Sequence, residues 1–144
     1  MSGDPAPAVP ARPIAILGGT GPAGTGLALR WARAQESIII GSRDAQRARD
    51  VAAAIRGTVG FGAQVSGMEN SAACAAADIL MLTVPFDGQA ALLKQLKPAI
   101  TEGSILIDAT VPLAAAVGGR YVQYEVFDAT LDQAGGRLAR QERR

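Results

Sequence analysis

Apolar and polar positions alternate along this chain in two different rhythms. Five short runs are apolar throughout or nearly so: Ile14 to Leu17, Ile38 to Ile40, a weaker one at Gln64 to Ser66, Ile79 to Val84, and Ser104 to Ile107. Between them the apolar residues fall at helical spacing. Leu27, Ala28, Trp31 and Ala32 share a face in Gly24 to Arg33, and Ala48, Val51, Ala52 and Ile55 share one in Asp44 to Ile55. Asn70 to Ala77 and about Asp87 to Leu96 read the same way, the second halted near Pro98. Asp44 and Asn70 are placed to cap their helices. Continuous apolar runs predict strands buried on both faces. Strands alternating with helices predict right-handed βαβ units. The expected fold is therefore α/β, a Rossmann-type doubly wound parallel sheet of about five strands in the order 3-2-1-4-5, with helices on both faces.

Composition narrows the chemistry. The 144 residues suit one domain, and 49% hydrophobic content supplies a core. The proline- and alanine-rich start predicts a disordered lead-in over 1–12, before one folded domain over 13–119 and a tail over 120–144. A net charge of +1 and 4% aromatic residues give no case for nucleic acid as a partner. No histidine occurs, which removes Ser-His-Asp and Cys-His catalysis and any histidine-bound metal. The single cysteine, Cys74, reads as a small buried side chain on a helix. No apolar run has the length of a membrane span, and the first residues lack the order of a secretory leader. A cytoplasmic location without membrane partners is the expectation.

The first strand runs into "GGTGPAGTG", Gly18 to Gly26. Gly19, Gly21 and Gly24 match G-x-G-x-x-G, and the motif sits between a strand and a helix as its mechanism requires. One glycine makes the tight turn, Gly21 admits a diphosphate to the backbone, and Gly24 lets the helix lie close to the sheet. Thr20 offers a hydroxyl. Pro22 fits a first-turn position, where its missing N–H costs little. The helix start, with Ala23, offers free amides and a positive dipole end. A glycine-rich turn without a ligand is the plain alternative, and the residues at the later strand ends speak against it. No Gly-Lys-Ser/Thr follows, so a Walker-type loop is excluded.

The second strand ends in Gly41-Ser42-Arg43, about where an aspartate or glutamate would hold an adenosine ribose in an NAD-binding chain. Ser42 can donate to a phosphate, and Arg43 can pair with it bidentately. Arg47, near the first turn of the next helix, can reach the same group. Asp44, as a cap, would turn toward the helix amides. The cofactor this predicts is NADP(H). At the far side of the sheet the strand exits carry Thr83-Val84-Pro85-Phe86 and Asp108-Ala109-Thr110-Val111-Pro112. Pro85 and Pro112 stop the strands and stiffen the exits, Phe86 can pack against the adenosine or the nicotinamide-ribose side, and Val84 and Val111 can offer backbone groups and a flat apolar wall. For Phe86, Thr83 and Thr110, core packing and strand capping account for the residues as well as ligand contact does. Asp108 also reads as a buried structural carboxylate.

Together "IAILGGTGPAGTGLALRWA", "IIIGSRDAQRA", "LTVPF" and "IDATVPLAAAVGG" resemble the NADPH-dependent coenzyme F420 reductases, from about Ile14 to Gly119. The resemblance implies reversible hydride transfer between NADP(H) and the deazaflavin of coenzyme F420, a co-substrate stacked on the nicotinamide. It implies that Thr20, Gly21, Pro22 and Ala23 hold the diphosphate, that Ser42, Arg43 and Arg47 hold the 2′-phosphate, and that Val84, Pro85, Phe86, Val111 and Pro112 border the nicotinamide half. It assigns no catalytic side chain. Family members continue into a helical C-terminal part that completes the deazaflavin pocket and usually a dimer interface, so a homodimer is an open expectation. Here the chain is expected to diverge after Gly119, with a short strand over 121–127 and a basic end over 138–144. A non-catalytic NADP(H)-binding module or redox sensor is the alternative function. A short-chain dehydrogenase ranks last, because Tyr121 and Tyr124 are followed four residues on by Glu125 and Asp128, not lysine.

Overall fold

The structure is a computed structural model and describes residues 12–111. Its elements run β1 (Ile14–Leu17), α1 (Pro22–Arg33), β2 (Ile38–Ser42), α2 (Ala45–Val59), β3 (Val65–Glu69), α3 (Asn70–Ala75), β4 (Ile79–Leu82), α4 (Phe86–Leu96), a 3-10 turn (Lys97–Ala99) and β5 (Ile105–Asp108). The five strands form one parallel sheet in the order β3-β2-β1-β4-β5, as the βα alternation predicts. β1 is central, with Ile14 in register with Ile38 on one side and Ile79 on the other.

Both faces of the central strands are covered, which is why these strands carry no polar alternation. Ile16, Ile38, Ile40 and Met81 pack with Ala28, Ala32, Ala48, Ala52 and Ile55 beneath α1 and α2. Ala15, Leu17, Ile39, Leu80 and Leu82 pack with Ala73, Cys74, Leu92 and Leu96 beneath α3 and α4. Alanine on the helix faces lets the layers approach closely. At Gly67 the approach is closest: a Cβ there would lie 2.2 Å from the carbonyl oxygen of Ala48. α2 is thus seated on β3 by backbone contact, which fixes its first turn, with Arg47, at the end of β2.

Several boundaries depart from the expected ones. α1 begins at Pro22 and α2 runs on to Val59. β3 spans Val65–Glu69, so Glu69 becomes the α3 cap through a hydrogen bond from the Ser71 amide at 2.8 Å, and Asn70 is the buried first residue of the helix. α4 starts one residue early, at Phe86. A departure of another kind is in β5, where burial on both faces fails: Ile105 is 59% and Ile107 42% exposed, and only Leu106 is half-buried. Among the described residues no helix covers the Ile105 and Ile107 side. The lead-in over 1–11, the boundary at residue 119, Pro112, the expected strand over 121–127 and the basic end lie outside the described residues.

Candidate functional site

Parallel strands place all their C-terminal ends on one edge, and the order reverses between β1's two neighbours, β2 and β4. A crevice outside the strand ends forms at such a reversal. The loop from β1 to α1 lies there. Gly18 has φ +70°, a left-handed conformation that disfavours a side chain, and a Cβ there would lie 2.3 Å from Val84 Cγ1. A Cβ on Gly24 would lie 2.5 Å from the Gly19 Cα, so Gly24 docks α1 against the loop itself rather than against the strands. Gly21 differs from both: a Cβ there would meet nothing within 4 Å. The protein does not need glycine at that position for its own packing. The space beside it is open to a ligand.

The start of α1 points the same way. Gly21 is its N-cap, no side chain caps it, and no acidic residue lies in its first turn. α2 and α3, by contrast, are capped by Asp44 and Glu69. Pro22 stands at the start, where no N–H is lost. Thr25 Oγ1 donates to the Gly21 carbonyl at 2.6 Å and leaves the amides alone. Thr20 is half-buried and Ala23 exposed at this end. A diphosphate would satisfy both the free amides and the dipole.

The side expected to face an adenosine is built from the end of β2. Gly19 N–H donates to the Gly41 carbonyl at 2.8 Å, which ties the loop to this strand. Ser42 is buried, and its Oγ accepts from the Asp44 amide at 3.2 Å. The Ser42 hydroxyl therefore keeps its proton to donate. Asp44 turns inward as expected, accepting from the amides of Gln46 at 2.8 Å and Arg47 at 3.2 Å. Arg43 and Arg47 are exposed, and among the described residues neither guanidinium is in an ion pair. Two side chains at this edge were missed from the sequence. Glu69, in register with Ser42, is engaged at the α3 start. Asn70, 2% exposed, accepts from the Gly18 amide at 3.1 Å.

The opposite side is formed by the exits of β4 and β5. Val84 is half-buried against Gly18, Pro85 is the exposed N-cap of α4, and Phe86 is its half-buried first residue. Thr83 has a structural role: its amide and hydroxyl both donate to the Leu17 carbonyl at 3.1 Å. Asp108 is exposed, not buried as read from the sequence. It accepts from the Thr110 amide at 2.9 Å and from Gln89 Nε2, which also donates to Thr110 Oγ1 at 2.9 Å. Gln89 on α4 thus holds the β5 exit in place, and Val111 follows it, 60% exposed.

Nucleophilic chemistry has no support here. Cys74 is buried under α3, and desolvation pushes its thiol up to about 11. At pH 8 that leaves about one thiolate in a thousand. Iodoacetamide at pH 8 should therefore leave native Cys74 unmodified while labelling it fully in urea, as intact mass will show. Among the described residues no cluster of three or more metal-ligating side chains occurs, and no helix is long and apolar enough to cross a membrane.

Similarity to known proteins agrees with this geometry. The family model described as "NADP oxidoreductase coenzyme F420-dependent" matches residues 13–112. The chain is 39% identical over 131 residues to the F420-dependent NADP reductase of Methanothermobacter thermautotrophicus, covering 90% of this chain and 56% of that one. It is 42% identical over 127 residues to the same-named protein of Methanothermobacter marburgensis, covering 87% and 56%. The chain thus spans about half the length of the curated relatives it matches. Among solved structures, a lactate dehydrogenase from Cryptosporidium parvum superposes with a TM-score of 0.61 over 77% of this chain and 41% of that one, at 18% identity. That likeness shows the fold alone.

Proposed function

This chain belongs to the family of coenzyme F420-dependent NADP oxidoreductases, and on that premise we propose that it binds NADP(H) at the β1–α1 crevice and serves hydride exchange with the deazaflavin F420. The observation that carries the reading is the pairing of an open Gly21 at an uncapped helix start with two exposed arginines, Arg43 and Arg47, just after β2 and in no ion pair among the described residues. The first feature suits a diphosphate, and the second suits an additional phosphate on the ribose.

The proposed division of labour follows from position. Thr20, Gly21, Pro22 and Ala23 with Gly24 line the diphosphate cradle behind Gly19. Ser42 donates, and Arg43 and Arg47 pair, to the 2′-phosphate. Val84, Pro85, Phe86 and Val111 form an apolar border on the nicotinamide side; Pro112, assigned to the same side by the resemblance, lies outside the described residues. The bound cofactors supply the redox chemistry, a hydride passing between nicotinamide and deazaflavin. This chain's residues bind, orient and exclude water, and no side chain is assigned as an acid or base. A homodimer and cytoplasmic residence are further parts of the proposal.

The test is a titration with NADPH and NADH followed by an assay. The protein should bind NADPH at least tenfold more tightly than NADH. Mixed with NADPH and oxidised F420, it should bleach the deazaflavin absorbance. Tight NADPH binding without bleaching would leave a binding module, and no preference for NADPH would remove the 2′-phosphate assignment.

A further inference from the structure

Asn70 is one of two buried polar residues among those described, with Ser42 the other. It lies 52 residues from the glycine loop in sequence, yet its Oδ1 accepts the Gly18 N–H at 3.1 Å. The same oxygen lies against β2: a Cβ on Gly41 would come within 2.8 Å of it. Gly41 in turn accepts the Gly19 N–H through its own carbonyl at 2.8 Å. Three segments therefore meet at one point. They are the first two residues of the glycine loop, the residue before Ser42 and Arg43, and the start of α3.

We propose that Asn70 is a positioning residue, whose buried amide tethers the Gly18 peptide beside Gly41 and so sets the glycine loop against the 2′-phosphate side of the site. The proposal rests on the NADP(H) reading of the site. Its physical basis is that an N–H partly withdrawn from water is costly to leave without an acceptor, so the loop's first peptide is held best while an acceptor stands there. Gly18 itself is held in a left-handed conformation, φ +70°, and Val84 fills the space where a side chain would stand. A methyl group at Gly41 would crowd the Asn70 Oδ1 at 2.8 Å and push the amide away. Loss of the tether should loosen the diphosphate cradle and leave the phosphate clamp at the end of β2 standing.

Asn70→Ala tests this with three ligands and one direct probe. NADPH and NADH should both weaken about tenfold or more, and in parallel. 2′-AMP, which carries the 2′-phosphate but no diphosphate, should bind within about twofold of wild type. Amide hydrogen exchange of the ligand-free protein should show Gly18 losing protection while Gly19, bonded to Gly41, keeps it. Asn70→Asp, which retains an acceptor oxygen, should keep the Gly18 amide protected and serves where the alanine variant does not fold. Parallel loss of all three ligands would make Asn70 a general core residue and overturn the proposal. Unchanged binding with unchanged Gly18 exchange would overturn it too. Wild-type protein that binds neither NADPH nor 2′-AMP would instead sink the cofactor reading beneath it.

Discussion

Gly21→Asp should yield a protein that melts higher than wild type and binds dinucleotide about 100-fold more weakly. On the proposed reading Gly21 serves the ligand and not the fold, so the two effects have opposite signs. Its backbone, φ −83° and ψ 173°, is the extended conformation that an N-cap aspartate adopts without strain. The new Cβ would meet nothing within 4 Å. The carboxylate would accept the free first-turn amides and complement the dipole, a gain of roughly 0.5–1 kcal/mol. For a domain of this size that is about 2–6 °C in Tm. The same carboxylate would occupy the diphosphate's place and repel it. Losing charge-assisted bonds there costs about 3 kcal/mol, or roughly 100-fold, for NADPH and NADH alike. Differential scanning calorimetry and a fluorescence titration measure both quantities. Gly24→Ala provides the contrast. Its Cβ would lie 2.5 to 2.8 Å from three backbone atoms of Gly19, so the melt and the affinity should fall together. A Gly21→Asp variant that loses stability, or keeps its affinity, would contradict the assignment.

These two glycines also show what a sequence discloses. The motif spacing announces that a strand, a tight turn and a helix are joined at Gly19, Gly21 and Gly24, because local backbone geometry demands it. It cannot show that Gly24 touches Gly19 while Gly21 touches nothing, since that depends on where α1 settles. The strand order was legible for a similar reason: right-handed βαβ connections leave few topologies for five buried strands. Residues acting across long chain separations were not legible. Asn70 reads locally as a helix cap, and only the folded sheet brings it to Gly18. Glu69 took the capping role because β3 runs farther than its weak apolar pattern, interrupted by Ser66 and Gly67, suggested. β5 misled in the other direction. Its apolar run predicts burial on both faces, but α1 and α2 sit over β1 to β3 and leave Ile105 and Ile107 exposed among the described residues.

Arg43→Ala should cost NADPH about 10- to 100-fold in affinity and NADH no more than about threefold. A hydrogen bond from a guanidinium to a phosphate, replaced by a methyl group, removes roughly 1.5–3 kcal/mol, and the range in fold-change follows from that. On the proposed reading Arg43 is the larger contributor of the two arginines. It follows directly on Ser42, whose position at the end of β2 is fixed by burial and by the Asp44 amide. Asp44 does not compete for it, because that carboxylate is held by the amides of Gln46 and Arg47. Arg47 lies farther along, on the exposed side of α2's first turn, so Arg47→Ala should cost NADPH less than Arg43→Ala does. Salt separates a charge effect from a packing effect. Raising ionic strength should weaken NADPH binding to wild type more than to Arg43→Ala, because exposed charge pairs are screened. Equal losses for NADPH and NADH, or no change in the salt dependence, would remove Arg43 from the 2′-phosphate site.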